Sequence, residues 1–191
     1  MQSGERRAWF LSVFEEWRDP LLQEAADARR HARNYRNFLV GAAALSYSTS
    51  TRSLRVAGGF NFMPRSSEAY VYADQATRMC AEPLAISLAL QPVKSSSSNA
   101  NATADEWDEG HVIVAVAVVG EPQMDAASEI SSQTLHPCFQ CRVFLQGCDQ
   151  VSPNTIFLGA TPGLSVQEVM RVDELIALHA THWTDAQRNL P

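Results

Sequence analysis

The sequence predicts one α/β domain built as helices layered on a sheet. Three observations lead there. Strand-like and helix-like stretches follow one another as strand, strand, helix, strand, helix, strand, the order of a layered α/β arrangement. Val112 to Val119 is almost wholly Val, Ile and Ala, which suits a strand covered on both faces. The chain has 191 residues, enough for one domain with a substantial core and few for two.

Residues 5–17 place Phe10, Val13, Phe14 and Trp17 at helical spacing. Asp19-Pro20 reads as a stop for that helix and the N-cap of the next. The second helix turns Leu21, Leu22, Ala25, Ala28 and Ala32 inward and Arg29, Arg30 and Arg33 to water. Phe38–Tyr47 and Leu54–Phe60 are short apolar runs around a turn-like Ser48–Ser53, hence a β-hairpin whose second strand ends at Asn61. Residues 62–75 are mixed and Pro-containing, a loop. Residues 77–90, rich in Ala, Leu and Met, read as a helix with Cys80 in its first turn or two.

Residues 92–110 hold a Ser/Asn run and an acidic patch, a mobile insertion outside the core. After the Val112–Val119 strand, Glu121–Gln133 is a polar loop, Cys138 opens a helix to about Cys148, and Thr155–Leu158 is a buried strand. Beyond Thr161-Pro162-Gly163 two readings compete. Ser165 and Glu168 could form a capping box, while Leu164, Val166, Met170 and Val172 alternate as in a strand. The turn favours a strand over 165–172 and a short helix from Asp173. The expected organisation is an extra helix over 1–19, a domain over 20–183 and a tail over 184–191.

Net charge is −6 and no basic block occurs, so a nucleic-acid partner is disfavoured. No apolar run reaches membrane-span length. The opening residues lack a signal-peptide pattern, and the Asn101-Ala102-Thr103 sequon has no meaning without secretion. Cys80, Cys138, Cys141 and Cys148 look like metal chemistry in a reducing compartment, not a disulfide framework, so the expected location is cytoplasmic.

The chemistry concentrates in Cys80-Ala81-Glu82-Pro83 and His136-Pro137-Cys138-Phe139-Gln140-Cys141-Arg142. Zinc prefers thiolate and imidazole, and a catalytic zinc site keeps one position open for water. Cys80, Cys138 and Cys141 would supply the thiolates. Each motif falls at a helix start, where the positive end of the helix favours the thiolate. Glu82, two residues past the first ligand, would stand beside the water and move protons. A structural zinc would need a fourth ligand; His136 is the candidate, but it lies too near Cys138 in sequence for easy geometry. A redox Cys-x-x-Cys pair would have no use for Cys80 and Glu82. His31, His111, His179 and His182 read as surface or packing residues, and Cys148 as a small core residue.

The pattern of Cys-x-Glu followed by Pro-Cys-x-x-Cys resembles the zinc deaminases, and more closely the cytidine deaminase family, in its three-Cys branch acting on free nucleosides. The resemblance runs from about Leu21 to His182. Tyr35–Ala43 looks like the family's Tyr-Ser-x-Phe-x-Val-Gly-Ala-Ala strand, and Val172-Asp173-Glu174-Leu175 like the segment before its last helix. The resemblance implies a three-layer α/β/α domain with a five-stranded mixed sheet, commonly a homotetramer with sites at subunit interfaces. It implies Phe38 and Asn61 in the substrate pocket and Ala81 reading the pyrimidine edge through its backbone. It implies hydrolysis of an amino-pyrimidine, cytidine or deoxycytidine, to the carbonyl product and ammonia.

Several positions depart. Asn61-Phe62-Met63 replaces the ribose-binding Asn-x-Glu, Pro83 replaces an Arg, and Phe139-Gln140 replaces a small pair. The loop up to Cys80 is longer. Near Ala180, where the family lends an aromatic to a neighbouring site, His179 or Trp183 would have to substitute. The chemistry is kept while recognition is altered, so the same deamination of a cytosine-containing antibiotic of the blasticidin S kind is an alternative. A zinc-stabilised binding protein without turnover is another, against which the retained Glu82 counts. An editing enzyme for nucleic acid lacks its basic, aromatic strand-binding segment.

Overall fold

Five strands form one mixed sheet, in the order Ser53–Phe60, Gly41–Ser48, His111–Val119, Val151–Ala160 and Gln167–Arg171, in the computed structural model, which describes residues 3–34, 37–63, 79–91, 110–122 and 133–180. The elements are α1 (Ser3–Arg29), β1 (Arg33–Asn34), β2 (Gly41–Ser48), β3 (Ser53–Phe60), β4 (Phe62–Met63), α2 (Ala81–Leu90), β5 (His111–Val119), α3 (Phe139–Gly147), β6 (Val151–Ala160), β7 (Gln167–Arg171) and α4 (Val172–Leu178). β2 pairs antiparallel with β3 and β5, β5 runs parallel to β6, and β7 closes the edge antiparallel. The expected α/β class and five-stranded mixed sheet are what the chain forms. The 64–78 stretch, the 92–109 insertion, most of the 121–133 loop and the tail beyond 180 lie outside the described residues.

Side-chain alternation along the strands feeds two cores. Ala43, Leu45, Val114, Ile156 and Leu158 point to one face and meet Phe10, Phe14, Leu21, Leu22 and Ala25 of α1. Ala42, Ala44, Val116 and Phe157 point to the other and meet Ala81, Ala85, Ile86 and Ala89 of α2, Leu145 of α3 and Leu175 of α4. A strand such as β5, buried on both faces, has no polar side to show, hence its unbroken Val, Ile and Ala.

The two helices expected on either side of Asp19-Pro20 are one continuous helix with Pro20 inside it. An internal proline removes one hydrogen bond and crowds the preceding turn, at about 3 kcal/mol or more. Phe10, Phe14, Leu21 and Leu22, from both halves, are buried on the same sheet face. At about 1.5–3 kcal/mol per buried side chain, that packing outweighs the proline.

The helix expected over 77–90 begins only at Ala81. Met79 is held instead in a backbone bridge with Phe62, its N–H on the Phe62 carbonyl at 3.0 Å and the reverse bond at 2.9 Å. β6 is longer than its Thr155–Leu158 kernel, and the 165–172 strand forms as β7, followed by α4 as expected. Among the described residues no helix is long and apolar enough to cross a membrane.

One end of the sheet brings several segments together. Gly41 faces both Phe60 and Val119, and Val119 faces Ala160. The 38–40 segment, Asn61 and Gly120 therefore emerge side by side there. α2 reaches this end because Gly59 lets its backbone approach. A Cβ at Gly59 would lie 2.5 Å from the Ala81 carbonyl oxygen and 2.9 Å from Ala85 Cα, and would also strike the Ala85 amide nitrogen. Those are backbone atoms and cannot swing away. Gly59→Ala should cost about 1–3 kcal/mol in a denaturant melt, by overpacking, and should displace the start of α2. A native melting profile for this variant would show that α2 sits farther from β3.

Candidate metal centre and active site

Two of the three motif cysteines stand at helix N-caps. Cys80 caps α2 and Cys138 caps α3, both with extended backbone and neither with a side-chain capping bond. Neither sulfur is tied up as a cap, and each belongs to the residue next to the amides that carry the positive end of the helix dipole. Cys80 is therefore just outside α2, not in its first turns. Cys141, one helical turn past Cys138, is inside α3 and buried.

The Sγ atoms of Cys80, Cys138 and Cys141 all lie within 4.8 Å of one another. Cys80 Sγ is 3.9 Å from Cys138 Sγ, which is 3.4 Å from Cys141 Sγ. Thiolates bound to one tetrahedral zinc at about 2.3 Å are roughly 3.8 Å apart, so the donor set and its spacing fit such an ion. No disulfide joins the chain's cysteines. Cys148 caps the far end of α3 and packs against the core.

Glu82 is 5% exposed on the first turn of α2. Its Oε2 accepts from Cys141 Sγ at 3.3 Å. A carboxylate so placed touches the sulfur cluster while the three-sulfur group itself does not include it. Arg142 follows Cys141. Its Nη1 donates to the Pro137 carbonyl at 2.6 Å, and its Nε is buried without a hydrogen-bond partner among the described residues. Burial lowers the Arg142 pKa, while the charges of Cys138 and Cys141 act to raise it.

Cys80 and Cys141 hold their protons tightly without a metal. The hydrogen bond with Cys138 is the main reason the Cys80 thiol is pushed from 9.0 up to about 12; burial and the charges of Cys138 and Glu82 add, while the Cys141 hydrogen bond opposes. Cys141 is pushed up by its bonds to Cys138 and Cys80, then by burial and Glu82. A dication reverses the preference by neutralising the thiolates.

The other expected site residues sit at the same sheet end. Phe38 is half-buried against the core. Asn61 is 8% exposed, and its amide ties the segment before β2: Oδ1 accepts from the Val40 N–H at 2.8 Å and Nδ2 donates to the Phe38 carbonyl at 2.7 Å. Ala81, fully buried, is the first residue of α2.

The structure is similar to solved cytidine deaminases. That from Burkholderia pseudomallei shares 20% identity, with a TM-score of 0.49 over 82% of this chain and 94% of the other. That from Mycobacterium leprae shares 21%, with a TM-score of 0.46 over 83% and 95%. That from Mycobacterium tuberculosis shares 19%, with a TM-score of 0.45 over 83% and 92%. No protein-family model matches the chain, and no curated protein does.

Beside the sulfurs is a polar group that sequence reading missed. Of the two readings for His179, surface or packing, the structure has it packed against His136, the residue weighed as a fourth ligand. His136 Nδ1 meets His179 Nε2 at 3.0 Å and its Nε2 meets Glu168 Oε2 at 3.0 Å. Glu168, weighed only as a capping residue, lies on β7. No local pattern links residues separated by 32 or 43 positions. Trp183, the alternative to His179, lies outside the described residues.

The raised Cys80 pKa has a consequence for stability. Between pH 9.0 and about 12 the metal-free folded protein keeps a proton that the unfolded chain has released. Stability from this group is complete below that window and is lost as pH rises through it. Denaturant midpoints of metal-free protein should fall with pH across the window more steeply than those of Cys80→Ser. Equal slopes would show that the thiol is unperturbed.

Proposed function

We propose that this chain is a zinc-dependent hydrolase that removes the exocyclic amino group of a cytosine-type ring. The observation that carries it is a buried carboxylate, Glu82, set against a cluster of three thiols held by two helix starts. A metal held only for structure has no use for such a carboxylate.

Cys80, Cys138 and Cys141 would hold the zinc, which when present supplies Lewis acidity that lets water ionise near neutral pH. Glu82 would take a proton from the attacking water and pass it to a ring nitrogen. It would then take the remaining proton from the hydroxyl now on the ring carbon and give it to the amine as the C–N bond breaks, so that water and the amino-heterocycle give ammonia and the carbonyl product. Burial keeps bulk water from competing for that proton. Arg142 and the helix starts would temper the negative charge that three thiolates leave on a divalent ion. Phe38 would form a wall of the ring pocket, Asn61 would brace and line it, and the Ala81 backbone would read the ring edge. Cytoplasmic residence and a homo-oligomeric state belong to the same proposal.

Purified protein should carry about one zinc per chain, and Cys→Ser at 80, 138 or 141 should lower that content. Full retention in all three variants would remove the metal assignment. Ammonia release from cytidine, deoxycytidine and a cytosine-containing antibiotic then tests the reaction and separates the substrates.

Glu82→Gln preserves shape and hydrogen-bonding capacity but cannot carry the proton. Its turnover should drop about 10² to 10⁴-fold, with zinc content and melting temperature kept. Loss of zinc would instead make Glu82 a ligand, and unchanged turnover would end the proton-transfer role.

A further inference from the structure

The segment leading into Cys138 is fastened to the sheet by a set of contacts that the proposed chemistry does not use. It crosses the strands where two side chains are missing. A Cβ at Gly159 would lie 2.5 Å from Thr134 Oγ1, and one at Gly120 would lie 2.6 Å from Leu135 Cδ2. Gly159 faces Glu168 across the β6–β7 pairing, so Glu168 projects on the same side of the sheet, over the space that Gly159 leaves. There its Oε2 accepts from Thr134 Oγ1 at 2.8 Å and meets His136 Nε2 at 3.0 Å.

The His136 side chain is 7% exposed, and its ring stands edge-on to Phe157 with centroids 6.0 Å apart. Proton placement is dictated by the partners. An ionised carboxylate only accepts, so Nε2 of His136 carries the hydrogen. In the neutral ring Nδ1 is then the acceptor, and His179 Nε2 donates to it at 3.0 Å. One imidazole thus links edge strand β7, the end of α4 and the loop before α3.

We infer that Glu168 is a positioning residue which, through His136 and Thr134, sets where Cys138 meets the other two sulfurs. This rests on the zinc reading above. Only Pro137, with its locked φ, separates His136 from Cys138. The Pro137 carbonyl is held by Arg142 Nη1 at 2.6 Å, and the Cys138 carbonyl accepts the Arg142 amide at 3.0 Å. The loop and the start of α3 are therefore tied to each other, and Glu168 is the polar anchor of that piece on the sheet beside the apolar contact of Leu135 over Gly120. Cys80 reaches the cluster on a different helix, packed at Gly59. The separation between the Cys80 and Cys138 sulfurs depends on both anchors. Groups bonded directly to a metal ligand typically alter metal affinity about 10- to 100-fold, and Glu168, which acts through His136, belongs at the lower end of that range.

The test measures zinc release from the zinc-loaded full-length protein to a chromophoric chelator, in native protein, Glu168→Ala, Glu168→Gln and Val114→Ala. Val114 is buried on the α1 face, remote from the cluster, and serves as a stability control. Glu168→Ala should release zinc about 10-fold faster or more, while Glu168→Gln, which keeps an acceptor oxygen, should stay within about threefold of native. Val114→Ala should lower the melting temperature without hastening release. Thr134→Val, which removes one donor at nearly constant volume, replaces Glu168→Ala if that variant does not fold, and should also speed release. Native protein without zinc would overturn the zinc reading itself. Zinc-bearing native protein whose release is unchanged in Glu168→Ala or Thr134→Val would overturn the positioning role alone. So would release from Val114→Ala as fast as from Glu168→Ala at a matched loss of melting temperature.

Discussion

Gathering three thiols and a carboxylate at one spot is the constraint around which this fold is arranged. Two thiolates 3.9 Å apart, as Cys80 and Cys138 would be, repel by about 4 kcal/mol at an effective dielectric constant near 20. A helix N-terminus returns roughly 0.3–1 kcal/mol for each anion it faces. The two helix ends therefore cannot hold three thiolates and a carboxylate by themselves. The hydrogen bond with Cys138, then burial and the charges of Cys138 and Glu82, push the Cys80 thiol up to about 12 against the opposing bond to Cys141. The helices supply direction and the sheet supplies rigidity, and under the proposed function a divalent ion would supply the charge that neither provides.

Rigidity comes from small residues at the places where backbones meet. α2 presents Ala81, Ala85 and Ala89 to the sheet, and Gly59 receives it. On the far face, a Cβ at Gly41 would collide with the Ala25 carbonyl, so α1 also packs against bare backbone. The two faces divide the work. α1 buries Phe10, Phe14, Leu21 and Leu22 and carries none of the candidate chemistry. The opposite face spends part of its area on Glu82, Thr134, His136 and Glu168, which stabilise less than apolar packing would. The long helix across Pro20 is what lets one face carry so much of the core.

Asn61, expected in the substrate pocket, has a bracing role that the sequence reading did not include. Its amide is engaged by the backbone at both ends of the Phe38–Val40 segment. That leaves one N–H and one lone pair. Whatever it contributes to a substrate, it first fixes the wall on which Phe38 sits. The exposed pair Phe62 and Met79 lies immediately outside Asn61 and Cys80, joined by their backbone bridge. Site and rim are therefore in register with each other through main-chain hydrogen bonds.

The sequence by itself determined which residues could do the chemistry. Cys138 and Cys141 are one helical turn apart, and Cys80 and Glu82 are two apart at a helix start, so their relations are local and readable. The doubly buried β5 was equally plain, because burial on both faces leaves only one kind of residue to use. Tertiary structure decided the rest. Pro20 reads as a stop, yet the sheet face beneath it holds both halves in one helix. Met79 has helical company in sequence, yet its bridge to Phe62 delays α2 until Cys80 is the cap. Glu168 finds Thr134 and His136 because the β6–β7 register puts it opposite a glycine. Each of these depends on contacts between residues far apart in the chain, and local periodicity carries no record of such contacts.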